Sequence, residues 1–199
     1  MFPQTRITEL IRHIPSKRQH AEKTCPIQQI AIKFKRSLLR IAGINKNDFA
    51  AAPGVSVTVY VQGCPHRCEG CHNPETWDFR GGELFTFETA KEIIDALNEN
   101  NIYRSLCIQG GEPLAPSNIP EVMGLIYKTK LLSPHTKIFV WTGYIYEDLI
   151  QKAESDPELK YILMAADFLI DGPYIERLRD ITLKMRGSSN QRIINLTKK

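Results

Sequence analysis

Ser56-Val57-Thr58-Val59-Tyr60-Val61-Gln62 sets Val57, Val59 and Val61 at every second position, the period of a β-strand. It breaks at Gly63 into Cys64-Pro65-His66-Arg67-Cys68-Glu69-Gly70-Cys71. Outward from this stretch the same arrangement recurs. A strand over Ser105 to Gln109 ends at Gly110-Gly111-Glu112-Pro113. The β-rich run Lys137 to Thr142 passes into Thr142-Gly143-Tyr144, and a strand over Asp167 to Asp171 passes into Asp171-Gly172-Pro173. Helical patterns fall between. Thr86 can cap a helix that sets Ala90, Ile93, Ile94 and Leu97 on one face, and others span Pro120 to Leu132, Glu147 to Glu154 and Glu158 to Met164. Strands alternating with helices predict α/β units and a parallel sheet. The C-terminal ends of parallel strands share one edge, where ligands bind. Four polar or Gly-rich loops on that edge converge on a single site.

The remaining segments frame this core. An apolar stretch from Leu38 to Ile44 predicts an entry strand, Asp48 to Gly54 a loop, and Arg192 to Leu196 a last strand. At 199 residues, with 42% hydrophobic and 24% charged content, the chain fits one folded domain. No apolar run approaches the roughly 18–20 residues of a membrane helix. The unbroken apolar core of a secretory signal is also missing, so no membrane and a cytoplasmic location are expected. The net charge of +4 is uneven, because residues 1–40 hold nine Lys/Arg against two Asp/Glu. Residues 1–37 therefore form a basic extension. It contains a short helical face at Ile7, Leu10, Ile11 and Ile14 and a polar stretch over 15–26, ahead of a body at 38–199. Only Phe2 and Phe34 interleave the extension's cations, which favours a solvated arm over a nucleic-acid surface.

A chain of this size buries a core without staples, so its five cysteines ask for a chemical reason. The number is odd, and three fall within one short loop, unlike a secreted disulfide scaffold. Three thiolates at spacings of four and three can wrap a small metal cluster. Cysteine thiolates hold 4Fe–4S clusters in sets of four, so Cys64, Cys68 and Cys71 would leave one iron open to a substrate. The competing reading is zinc held by three Cys and one His, using His66 or His72. A structural zinc site draws ligand pairs from two separated segments, and Cys25, Cys107, His13, His20 and His135 are isolated. The open cluster is favoured. Two glycines at 110 and 111 let a ligand approach the backbone, and Glu112 offers an anionic partner for an ammonium group. Cys107 lies in an apolar strand and reads as a small core residue, and Cys25 as a surface thiol.

Cys-x-x-x-Cys-x-x-Cys followed by Gly-Gly-Glu-Pro resembles the radical S-adenosylmethionine (SAM) superfamily. The stretch Gln62 to Trp77 resembles, more narrowly, the activating proteins of anaerobic ribonucleoside-triphosphate reductase. So do Trp141-Thr142-Gly143-Tyr144, Asp171-Gly172-Pro173 and Arg186-Gly187-Ser188-Ser189-Asn190-Gln191-Arg192. The likeness runs from about Leu38 to Leu196.

This resemblance implies a radical SAM oxidoreductase whose cofactors are a 4Fe–4S cluster on Cys64, Cys68 and Cys71 and SAM. It implies that the open iron chelates the amino and carboxylate groups of SAM. Gly110, Gly111, Glu112 and Pro113 would hold the ammonium, His72 would lie near the adenine, and Thr142 and Asp171 would lie toward the ribose or carboxylate. One electron would break the sulfonium bond to the 5′-carbon, and the 5′-deoxyadenosyl radical would take a hydrogen from a glycine of the partner reductase. The partners implied are that reductase and an electron donor such as a flavodoxin or a ferredoxin. Two positions depart from the family pattern. Gly70 stands where many members carry an aromatic residue, and Ala51-Ala52-Pro53-Gly54 stands where the activases often show Asp-Gly-Pro-Gly.

The expected architecture is an incomplete (β/α) TIM-like barrel of parallel strands, because a full barrel takes about 250 residues. An open barrel would also admit a glycine of another protein. Two other functions stay in view. One is a different small radical SAM enzyme, activating another glycyl-radical enzyme or acting on a small molecule. The other is a zinc-stabilised module that uses its basic arm on nucleic acid.

Overall fold

A computed structural model describes residues 39–197; the sequence readings on residues 1–38, including Cys25 and the basic extension, lie outside it. Among the described residues seven strands form one sheet: β1 (Arg40–Asp48), β2 (Val55–Val61), β3 (Glu83–Leu84), β4 (Arg104–Gly110), β5 (Ile138–Trp141), β6 (Phe168–Asp171) and β7 (Arg192–Asn195). Their order is β3-β1-β2-β4-β5-β6-β7. Four α-helices of the described residues connect them: α1 (Phe87–Leu97), α2 (Ile119–Leu132), α3 (Tyr146–Ala153) and α4 (Pro157–Ala165).

The expected α/β class is realised, but the sheet is mixed and open. β2, β4, β5 and β6 run parallel in sequence order. β1, β3 and β7 run antiparallel to their neighbours, which corrects the expectation of parallel strands throughout. Connection length explains the difference. A parallel crossover needs a dozen or more residues and commonly a helix. Residues 49–54 between β1 and β2 are too few, and residues 172–191 between β6 and β7 contain only the 3₁₀ turn Glu176–Leu178. β3 and β7 stand at opposite edges of the order, so among the described residues the sheet does not close into a barrel.

Period-two alternation divides the sheet's two faces. Val57, Val59, Val61, Leu106, Ile108, Ile138, Val140 and Leu169 point to the helices and bury a large core with Ile93, Ile94, Leu97, Leu125, Ile126, Leu159 and Ile162. The opposite face carries a smaller cluster of Ala51, Ala52, Cys107, Phe139 and Ile170, with Trp141, Phe168 and Met185 against it. Cys107 is fully buried there, in agreement with its reading as a core residue. Thr86 begins α1 with a capping box, its hydroxyl accepting from the Thr89 N–H at 3.3 Å. Asp156 starts α4 by accepting from the Glu158 and Leu159 N–H groups. Among the described residues no helix is long and apolar enough to cross a membrane.

Candidate metal centre

Because β2, β4, β5 and β6 are parallel and adjacent, the four loops named from the sequence leave one edge together. The cysteine loop departs at Gln62 and returns at Trp77. Its base is closed by Gly63 N–H to Thr76 O at 2.8 Å and Cys64 N–H to Trp77 O at 3.2 Å. The Gln62 amide donates to Glu75 O and Asp78 O, both at 2.9 Å. The turn after β4 lies directly beside it, with Gly111 N–H on Val61 O at 2.7 Å and Glu112 N–H on Gly63 O at 2.8 Å. Only glycine serves at 110. Its φ is +104°, and a Cβ there would lie 2.9 Å from the Tyr60 Cα.

Cys64, Cys68 and Cys71 are free thiols, each partly exposed within this one loop. Burial pushes the Cys64 thiol up, opposed by the nearby backbone N–H groups of His66 and Arg67. Burial likewise pushes Cys68 up, opposed by the N–H of Tyr174 from the loop after β6. Among the described residues no three His, Cys, Asp or Glu side chains converge as they would on one metal ion. Zinc requires four ligands at about 2.0–2.3 Å from one point, whereas a cubane gives each cysteine its own iron. The ring nitrogen Nε2 of His66, one of the two candidate zinc ligands, is engaged with Glu112 instead. His72, the other, is exposed. Three soft, partly exposed thiol donors within one short loop fit an iron–sulfur cluster.

Glu112, fully buried, is the hub of the edge. One carboxylate oxygen accepts from Leu114 N–H and Thr142 Oγ1, both at 2.8 Å. The other accepts from Gly143 N–H at 2.7 Å and meets His66 Nε2 at 2.8 Å. Four donors match the roughly four lone-pair sites of a carboxylate, so the side chain ties three loops together. His66 packs edge-on to Tyr144, with centroids 4.6 Å apart. Thr142 also accepts from Tyr144 N–H at 3.1 Å. Asp171, 1% exposed, pairs through both oxygens with Arg192 and accepts from Tyr146 N–H at 2.8 Å. Asp171, and after it Glu147, hold the Arg192 proton more firmly than usual. Pro113 is buried, Gly110 and Gly111 are half-buried, and His72 sits outside this network.

Three participants escaped sequence reading. Asn118 begins α2 without capping it. Its amide reaches Gln62 O at 3.1 Å and Glu112 O at 2.9 Å, tying the two loops from beneath. His66 was weighed only as a metal ligand, and Arg192 as the start of a strand and the end of the Arg186–Arg192 stretch, not as the partner of Asp171. Each acts through a partner distant in sequence, a relation that local pattern does not carry.

The model of the 4Fe-4S single cluster domain family matches residues 50–194, which span every element from the end of β1 to β7. Fold and site thus define an α/β iron–sulfur protein with its cysteine loop on the C-terminal strand edge. An anaerobic ribonucleoside-triphosphate reductase-activating protein of Enterobacteria phage T4 is 42% identical over 146 residues, 73% of this chain and 87% of the relative. Proteins of the same name from Escherichia coli K12 and Vibrio cholerae are 35% and 36% identical, over 75% of this chain and 94% of theirs. The chain belongs to the family of anaerobic ribonucleoside-triphosphate reductase-activating proteins.

Proposed function

We propose that this chain is a cytoplasmic radical SAM activase of anaerobic ribonucleoside-triphosphate reductase, its open sheet serving as an incomplete barrel. When bound, a 4Fe–4S cluster on Cys64, Cys68 and Cys71 would supply the electron that cleaves SAM reductively, so that a glycine of the reductase loses a hydrogen and keeps a radical. The residues of the chain bind, orient and shield. Three cysteines leave one iron for the amino and carboxylate groups of SAM. Gly110 and Gly111 let the methionine end lie against backbone, and the backbone of Glu112 and Pro113 offers carbonyls to its ammonium. The Glu112 side chain joins them where His66 gives way. Thr142 and Asp171 shape the ribose or carboxylate side, Thr142 through Glu112 and Asp171 through Arg192. Adenine lies along the backbone near His72, since Gly70 offers no ring. An external donor such as a flavodoxin or a ferredoxin would bring the electron.

The observation that supports this reading is the backbone seam between the cysteine loop and the Gly110–Pro113 turn, which brings the loop of three cysteines against two glycines and Glu112. Anaerobic reconstitution with iron and sulfide, followed by EPR with and without SAM, tests it. We expect a changed cluster signal on adding SAM, methionine and 5′-deoxyadenosine under reduction, and a glycyl signal when the reductase is present. Colourless protein with stoichiometric zinc, or a cluster signal indifferent to SAM, would overturn it.

A further inference from the structure

Glu112 meets the ligand edge with its acceptor positions full. Leu114 N–H, Thr142 Oγ1 and His66 Nε2 each stand at 2.8 Å and Gly143 N–H at 2.7 Å. A carboxylate offers about four such positions, so an amino group enters only by replacing one donor. Two of the four are backbone groups, fixed by the turns after β4 and β5. Thr142 is buried, with its own N–H on Ile170 O at 2.9 Å and its hydroxyl also accepting from Tyr144 N–H at 3.1 Å. His66 is the movable donor. Its side chain is 19% exposed where that of Glu112 is 1%, and its ring turns on two single bonds from a loop. The ring packs edge-on to Tyr144 and lies against Gly143, where a Cβ would come within 2.5 Å of it. The bare backbone of Gly143 thus leaves room at this acceptor oxygen for a group of the size of the ring edge.

We propose that His66 is a latch that stands in for the amino group of SAM: its ring fills the position on Glu112 that this amino group takes, and it leaves when the ligand binds. The assignment rests on the SAM site proposed above. An ionised carboxylate only accepts, so Nε2 carries the hydrogen of the contact. A buried carboxylate short of a donor is destabilised. The latch keeps Glu112 satisfied in the free chain, and the N–H of the ligand then replaces it like for like. The apparent affinity for SAM is the intrinsic affinity reduced by the fraction of chains whose ring stands away. The exchange also sets a specificity, because a nucleoside without an amino group offers no donor to take the place of the ring and meets a closed latch.

Two measurements on the anaerobically reconstituted full chain test the latch. The first needs no substitution. Diethyl pyrocarbonate acylates free imidazole nitrogens, and peptide mass spectrometry reads the modified fraction of each histidine. Saturating SAM should speed modification of His66 roughly three- to tenfold, the factor for freeing one hydrogen bond, while exposed His135 reacts as before. The SAM analogue with hydrogen in place of the amino group should leave His66 as slow as in the free chain. The second measurement is equilibrium binding. His66→Ala should bind SAM tighter by a similar factor at full iron content, and bind the desamino analogue as the native chain does. His66→Gln, whose side-chain amide can again donate to Glu112, should return the affinity toward the native value. Modification of His66 that SAM does not speed overturns the proposal. So does a His66→Ala chain that binds SAM no tighter beside full iron, and either result leaves the activase reading intact. The labelling decides alone if His66→Ala takes up no cluster. A native chain that takes up no cluster, or whose cluster-loaded form binds no SAM, overturns both.

Discussion

Cys64, Cys68 and Cys71 differ from Cys107 in what surrounds the sulfur. The first three are partly open and share one loop, whereas Cys107 is fully buried beneath Ser56 and Thr58. Substituting alanine at any one of the loop cysteines should abolish cluster assembly, read as loss of iron, sulfide and brown colour. Cys107→Ala should retain the cluster and cost about 1 kcal/mol of stability for the small cavity. Burial pushes the Cys107 thiol up to about 12. The buried neutral form stabilises the fold fully below the ordinary thiol value, and that contribution is lost as pH rises through about 12. Denaturant titrations between pH 8 and 11.5 should therefore show a shallower alkaline decline in Cys107→Ala than in the native chain. Glu112→Gln tests the hub. An amide has one acceptor oxygen where the carboxylate offers two, so Gly143 N–H and His66 lose their partner. The cost should be about 2–3 kcal/mol, with SAM affinity in equilibrium binding falling further than iron content. SAM affinity unchanged beside a full cluster would remove Glu112 from the ligand side of the edge.

Elements were more legible than their wiring. β2, β4, β5 and β6 and all four helices stand within a residue or two of where alternation, helical spacing and caps place them. Each carries its own local signal, such as Val57, Val59 and Val61 on one face. β1 runs on to Asp48, beyond the expected end at Ile44, because pairing with β2 through a bulge between Asn45 and Asp48 supports residues that lack a strand pattern. The two residues of β3 pair only with β1 and gave no signal at all. The loops were found because strand ends are visible, yet the side-chain partners of Glu112 and Asp171 were not, since they lie 21 to 46 residues away. One loop shows what this hidden contact does. A Cβ on Gly143 would lie 2.5 Å from the His66 ring. Gly143→Ala should push that ring off Glu112 and cost about 1 kcal/mol for the lost charge-assisted bond. In a His66→Ala background the same change should be nearly silent, and this non-additivity, measured by denaturant unfolding, separates contact with His66 from backbone strain.

At the scale of the whole molecule, an open sheet leaves its last strand with one neighbour. β7 pairs with β6 over four residues and is followed only by Leu196 and Thr197 among the described residues. What fastens it is Arg192, half-exposed, which bridges buried Asp171 on β6 and Glu147 on α3, the latter at 2.7 and 3.0 Å. The clasp closes the return of the 172–191 segment, whose Glu176 side chain lies against Gly70 of the cysteine loop, so edge and site should loosen together. Arg192→Ala leaves the Asp171 carboxylate buried without its cation, at a cost of about 3 kcal/mol, the lower end for breaking such a pair. Asp171→Asn should cost less, since Arg192 keeps Glu147 and the amide oxygen still accepts from the Tyr146 N–H. Hydrogen exchange locates the effect. In Arg192→Ala the amides of Ile193 and Ile194 and those of 172–178 should exchange faster by a similar factor, while those of β2 and β4 hold their protection. Faster exchange confined to β7 would mean that the clasp secures an edge strand and nothing beyond it. Joint opening would make one surface-reaching arginine the tie between the rim of the sheet and the seat of the three cysteines.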